Sequence, residues 1–325
     1  MGDAVAVRAL QPRLMPAPSS LGRAWAGYVL GAGLLLAASV WLRPYEQVPA
    51  ELRLPALVLT LVGLVVGLAG VRVLSRRPGV LAAVLAFVLA VLASEALLRA
   101  QNVPAGLIPT PSRVAQSLWE ARAALTADLG VTFLRETLVG YCAGVLAGLV
   151  TALLVSRSRF LELGLLPYTA LLSSVPIVAL APVVVRAAGL EWPSKAVIVA
   201  ITVFFPVVLN VSRGLNSASP LLLDLARTYA MTPAQVLARV RIPAALPYLF
   251  NALKVASTLA LIGAVVGEFF GSTGQGLGFR IQIEAGRFNL GVVWAAIVVT
   301  AALGLAFFGA ISLLERWALR WQRPD

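Results

Sequence analysis

Few side chains in these 325 residues could do chemistry. Histidine is absent, and the single cysteine, Cys142, sits within an apolar run. Histidine acid–base catalysis, histidine metal sites and disulfides within the chain are thereby excluded; Cys142 reads as a small packing residue. The only lysines, Lys195 in EWPSK and Lys254 in NALKV, are not preceded by glycine, so there is no G-x-x-x-x-G-K-[ST] phosphate loop. If nucleotide hydrolysis powers this protein, another chain performs it. The string GSTGQGLG, Gly271 to Gly278, has glycine enough to cradle a phosphate, but it lacks the G-x-G-x-x-G spacing and follows an apolar run instead of a strand. It reads as a tight turn or re-entrant loop. Acidic residues are scattered, so no catalytic residue, metal site or cofactor is expected.

The polar stretch from Ser212 to Pro243, SRGLNSASPLLLDLARTYAMTPAQVLARVRIP, lies between long apolar runs and is built like a docking surface. Ser219 can cap a helix starting at Pro220, with Asp224 near its positive end. Thr232 and Gln235 have capping-box spacing around Pro233, and Pro243 closes the unit. Two helices this short cannot span a membrane. They must lie on one face of it and present an outer surface to a partner.

With 60% hydrophobic and 12% charged residues, the chain is no ordinary soluble protein. Eight apolar segments, 24–42, 54–71, 79–98, 137–155, 163–185, 196–212, 248–270 and 290–314, each approach the ~20 residues that cross the hydrocarbon as a helix. Runs of this length exclude barrel strands, so the fold class is an all-α polytopic membrane bundle of about eight helices. A cleaved signal peptide is not expected, because the first run is too long for one and more spans follow. Placing the N-terminus in the cytoplasm puts 15 arginines inside, against 10 arginines and lysines outside. This predicts a multi-pass protein of the cell membrane with both termini and the 212–247 loop cytoplasmic. The arginines flank spans and form no basic stripe interleaved with aromatics, so the net charge of +12 points to membrane lipid and not to nucleic acid.

The chain divides near residue 100: an extension with three spans over 1–100, then a core over 101–325. In the outer segment 99–136, Thr110 and Pro111 start a helix with Val114, Leu118, Ala121 and Leu125 on one stripe. Gly140, Gly144 and Gly148, like Gly63 and Gly67, have the spacing that lets helices approach closely. The fifth span holds Pro167, Pro176 and Pro182, with Ser173 and Ser174 beside the central proline. It is either a broken helix lining a cavity or a buried kinked helix satisfied by its neighbours. Pro206 and Asn210 repeat that signal more weakly. Lys254 is close enough to a span end to snorkel. Glu268, near the outer end of the seventh span, fits either a water-filled vestibule or interfacial solvation. Glu95 reads as interfacial.

At Asp224-Leu225-Ala226, Ala230, Val240, Ile242 and Pro243 the docking segment resembles the cytoplasmic coupling loop of ABC importer permeases. That family's pattern is Glu-Ala-Ala, three residues, Gly, nine residues, then Ile-x-Leu-Pro. The spacing is intact here, with Asp for Glu, Leu for the first Ala, Ala for Gly, Val for Ile and Ile for Leu. If position 230 needs a left-handed turn, alanine costs roughly 1–2 kcal/mol there. LIPTPSRV, TFLRETLVGYCAGVLAG, SSVPIVALAPVVV, FFPVVLN, IPAALPYLFNALKVA and GAVVGEFFGSTGQGLGF occur in the order of the nitrate, sulfonate and taurine branch and cover about 105–320. The resemblance implies a type I permease core and a dimeric translocation pore, here a homodimer. It also implies cytoplasmic ABC ATPase subunits gripping the loops and an external solute-binding protein delivering a small solute. The solute could be a sulfonate, nitrate, or a pyrimidine-like or flavin-like vitamin precursor. The rival reading is a secondary transporter or channel without an ATPase, which an inverted repeat or a ring of intramembrane charge would favour; neither is present.

Overall fold

The computed structural model describes residues 18–45, 47–75, 80–158, 160–161, 164, 168–169, 171 and 174–322. The chain forms two compact units, 1–116 and 117–325. Among the described residues, seven helical stretches are long and apolar enough to cross a membrane.

The first unit holds α1 (Pro18–Trp41), α2 (Ala50–Leu74) and α3 (Leu81–Ala100). Glycines let α1 and α2 touch backbone to backbone. A Cβ on Gly31 would fall 2.4 Å from Gly67 N, and one on Gly70 2.5 Å from Ala24 O. Gly63 and Gly67 thus serve helix packing, as their spacing predicts. Leu35 and Leu89 fill the space that remains and are fully buried. Glu95 is buried, not interfacial: its carboxylate accepts from Arg99 Nε at 2.6 Å and from the Ser112 backbone N–H at 2.8 Å. It therefore caps the start of α4 (Pro111–Glu120). The expected single outer helix breaks at Ala121, which takes φ −89° and ψ 7°, and restarts as α5 (Arg122–Leu129).

In the second unit the fourth span is one 34-residue rod, Arg122–Val155. It runs from α5 through a π-helical segment (Gly130–Thr137) into α6 (Leu138–Val155). Next come α7 (Ile177–Ala188) and α8 (Trp192–Leu215). The docking segment follows as α9 (Pro220–Thr228), α10 (Pro233–Val236) and a second π segment (Leu237–Arg241). The chain ends with α11 (Ile242–Phe270), α12 (Leu277–Gly286) and α13 (Leu290–Ala318). Pro167 and Ser173 of the expected fifth span lie outside the described residues.

Helix α8 is central, packed between α6 and α11. One face carries Val199, Val203, Val207, Val211 and Leu215, all buried, against Ala252, Ala256, Ala260 and Ala264 of α11. Both rows repeat every four residues, so ridges of branched side chains seat against small ones. On the α6 side, Cβ atoms at Gly140 and Gly144 would sit 2.4 and 2.5 Å from the carbonyls of Ala196 and Ala200. Cys142 faces away from this contact and is exposed, so it is not a packing residue. Lys254 does not snorkel. Its Nζ pairs with Glu315 Oε2 of α13 at 2.8 Å.

Candidate functional site

The polar segment 212–243 is held by its own hydrogen bonds. The Thr232 hydroxyl accepts from Gln235 N at 3.3 Å, and the Gln235 side chain accepts from Thr232 N at 2.8 Å, which completes the capping box. Ser219 precedes Pro220 as expected, but its side chain makes no cap bond. The turn between α9 and α10 uses Ala230 at φ +50°, with Met231 N donating to Ala226 O at 3.0 Å. The left-handed conformation considered from the sequence is present, and alanine occupies it.

Burial sorts the residues of this segment. Ala226 is 3% exposed and packs inward. Leu221 and Leu225, one turn apart on α9, and Tyr229 at its C-cap point outward with Leu222. Asp224 is exposed and pairs with Arg227 at 2.9 Å. Val240 and Ile242 are half-exposed or exposed, and Pro243 lies in the first turn of α11. The outer face of the segment is therefore an apolar stripe, and Ala226 forms its support.

At the far end of α11, roughly 40 Å away by helical rise, the glycine string does cradle an anion, and the anion belongs to the chain itself. Glu268 is 1% exposed. Its Oε2 accepts from Gly278 N at 2.5 Å and Phe279 N at 3.3 Å, and its Oε1 from the Thr132 hydroxyl at 2.6 Å. Thr132 in turn accepts from Leu277 N at 2.8 Å. Asp128 accepts from Gly276 N at 3.0 Å and pairs with Arg280 Nε at 2.7 Å. These side chains take up the orphan N–H groups that open α12, where the helix dipole favours negative charge. Gly276, at φ +118°, cannot carry a side chain, because a Cβ would meet the Glu268 carboxyl at 2.4 Å. Glu268 thus sits in a packed network and not in a water-filled vestibule.

Asp128, Thr132 and Glu136 come from successive turns of the fourth rod, and the π segment sets their register. Glu136 is 2% exposed and lies within electrostatic reach of Glu268 and Lys195. Lys195, at the start of α8, donates to the carbonyls of Leu190 and Glu191. Nothing in the sequence marks Asp128, Thr132, Glu136 and Lys195 as site residues, because they lie outside the apolar runs 137–155 and 196–212. The extension of two helices past their most apolar stretches brings them in.

Near the middle, Pro176 precedes α7 and Pro182 lies inside it. A cavity of about 210 Å³ there is lined by residues including Val175, Ile177, Thr202, Phe205 and Pro206. Ser174 is exposed beside it in sequence. Asn210 is half-buried, and its amide donates to Pro206 O at 2.8 Å.

Residues 144–320 match the family described as the binding-protein-dependent transport system inner membrane component. The chain belongs to that family. It is 35% identical over 217 residues to a probable ABC transporter permease of Haemophilus influenzae, covering 66% of this chain and 88% of the relative. Against the riboflavin transport system permease protein RibX of Chloroflexus aurantiacus it is 30% identical, covering 67% and 82%. It is also 30% identical to the putative aliphatic sulfonates transport permease SsuC of Bacillus subtilis, covering 68% and 80%. A chain of the inward-facing MetNI methionine ABC transporter superposes with a TM-score of 0.50 at 19% identity, covering 62% of this chain and 97% of that one. This shared architecture is the type I importer permease fold. The protein is therefore an ABC importer permease, a transport subunit of a binding-protein-dependent system and not an enzyme. The ATP-hydrolysing subunit is a separate chain.

Proposed function

We propose that this permease forms the translocation pathway of an ATP-driven importer as a homodimer in the cell membrane. Both termini and the 212–247 loop face the cytoplasm, a cytoplasmic ATPase grips the loop, and an external binding protein delivers the solute. In this reading residues 1–100 are an extension added to a permease core at 101–325. The observation that carries it is the outward stripe Leu221, Leu222, Leu225 and Tyr229 on a segment braced by its own capping box. A contiguous apolar patch on a polar, non-spanning loop marks a contact surface, and an amphipathic helix of this kind fits a hydrophobic groove. Asp224, Ala226, Ala230, Val240, Ile242 and Pro243 shape the loop, while Leu225 makes the contact. The solute is of the class carried by its relatives, an organosulfonate, a small oxyanion or a vitamin precursor such as a flavin or pyrimidine. It passes Ser173, Ser174 and Pro176, which precede α7, and Asn210 of α8.

Co-purification tests the docking. Leu225 is 51% exposed, so Leu225→Glu leaves the bundle intact while placing a charge in the contact. We expect the variant to lose both the ATPase chain and uptake. A variant that keeps both would sink the assignment, and uptake by proteoliposomes without ATP would favour a secondary transporter. For the route, Ser174→Trp is expected to block uptake with the complex still assembled; undiminished uptake would place Ser174 away from it.

A further inference from the structure

The first unit contains a pocket of about 720 Å³, formed where the α1–α2 loop meets the chain leaving α3. Its walls are built and not merely apposed. Asn102 takes φ +51°, a conformation asparagine tolerates better than most residues. Its side chain staples the opposite loop, accepting from Val48 N at 2.6 Å and donating to Val48 O at 2.9 Å. On the other side the Ser112 hydroxyl donates to Glu95 Oε1 at 2.7 Å and accepts from Arg99 Nη2 at 3.0 Å. The pocket's edges are thus pinned from two directions.

Three arginines, Arg43, Arg99 and Arg113, line this space, and no acidic residue is in the lining. The Glu95 carboxylate lies beneath, buried and used by Arg99 and the start of α4. It offsets one of the three charges. Arg43 and Arg113 are exposed, and among the described residues neither is in an ion pair. Hydroxyl and amide groups from Thr110 and Gln47 add polar contacts, and Leu98 and Ile108 add apolar wall. Surface arginines are ordinarily scattered and solvated. Here three of them line one concave space, where an anion would offset their charge. The planar fork of arginine suits the oxygens of a phosphate or carboxylate. A volume in the range of small-molecule sites leaves room for more than a bare oxyanion.

We propose that this pocket binds an anionic group of phosphate or sulfonate size carried on a small organic skeleton, either the headgroup of an anionic phospholipid or a free solute. The site lies wholly in the first unit, so it stands whether or not the docking and pathway assignments hold.

The full-length permease in nanodiscs of zwitterionic phosphatidylcholine separates the two sources. One arm adds glycerol 3-phosphate and measures binding by calorimetry. The other mixes phosphatidylglycerol into the bilayer and counts retained lipid by native mass spectrometry. The test variant is Arg43→Gln/Arg113→Gln. Arg43→Lys/Arg113→Lys keeps the charge, and Arg316→Gln, on α13, removes a charge elsewhere. Loss of two charge-assisted contacts is expected to weaken binding at least about tenfold in one arm, with the lysine pair intermediate and Arg316→Gln unchanged. Binding of glycerol 3-phosphate assigns a free solute, and retention of phosphatidylglycerol alone assigns a lipid. If neither probe binds the wild type, or if Arg43→Gln/Arg113→Gln binds as well as the wild type, the proposal is overturned.

Discussion

Glu268 and Ala230 show how much one residue's position decides. Glu268 accepts three hydrogen bonds in a buried site, two of them from backbone N–H groups in the first turn of α12. Glu268→Gln keeps the shape but removes the charge and turns one oxygen into a donor facing N–H groups. Hydrogen bonds to charged groups are worth about 1.5–3 kcal/mol each. We expect the variant to lose roughly that much stability, read as a lower midpoint in detergent thermal unfolding; an unchanged midpoint would mean the network does not hold α12. Ala230 runs the other way. Alanine at φ +50° is strained by about 1 kcal/mol relative to glycine. Ala230→Gly should therefore protect the 219–243 segment against limited proteolysis, and faster cleavage would show that rigidity from Cβ matters more. The strained turn was legible because a spacing pattern has glycine there. The role of Glu268 was not, since a carboxylate near a span end looks the same in sequence whether it meets water or backbone N–H groups.

Helix pairing turns on where small residues fall. Gly140, Gly144 and Gly148 meet α8 along its length, and the first two lie against its backbone carbonyls. Backbone cannot rotate aside as a side chain can, so a branched residue here must push the helices apart. Gly144→Val is expected to cost at least the ~1–3 kcal/mol typical of overpacking and to lower the yield of folded protein in size-exclusion chromatography. Gly286→Ala, where a Cβ would meet nothing within 4 Å, is the matched control and should behave as wild type. A Gly144→Val protein that elutes and melts like the control would refute the close packing. The four-residue repeat predicted that these glycines pack. Which helix they pack against was decided only when Val199, Val203 and Val207 presented a matching ridge.

Across the whole molecule, orientation in the membrane sets which chemistry each end can meet. The excess of arginine on one side predicts the docking loop inside and the glycine string outside. Ser217 and Gln275 are exposed on those two segments and suit labelling. In a Cys142→Ser background, Ser217→Cys should resist an impermeant thiol reagent in intact cells, and Gln275→Cys should react. The reverse pattern would invert the protein and remove the docking surface from any cytoplasmic ATPase. The charge-capped start of α12 and the apolar stripe on α9 lie at opposite ends of α11, and this helix with its valine–alanine seam against α8 links them.

The helical membrane fold follows from the sequence alone, because hydrocarbon leaves a backbone few other ways to satisfy its polar groups and apolar run length reports this directly. Capping residues and prolines likewise mark where the docking helices begin, since those signals act within one turn. What only the tertiary structure decided is which polar groups meet across distant segments. Asp128, Thr132 and Glu268 find the start of α12 from as far as 148 residues away. Lys254 meets Glu315 across 61 residues, and Ala226 turns inward while Leu225 turns out. A buried charge must be paired wherever a partner can reach it, and that reach is set by how the helices pack, not by how the residues are spaced along the chain.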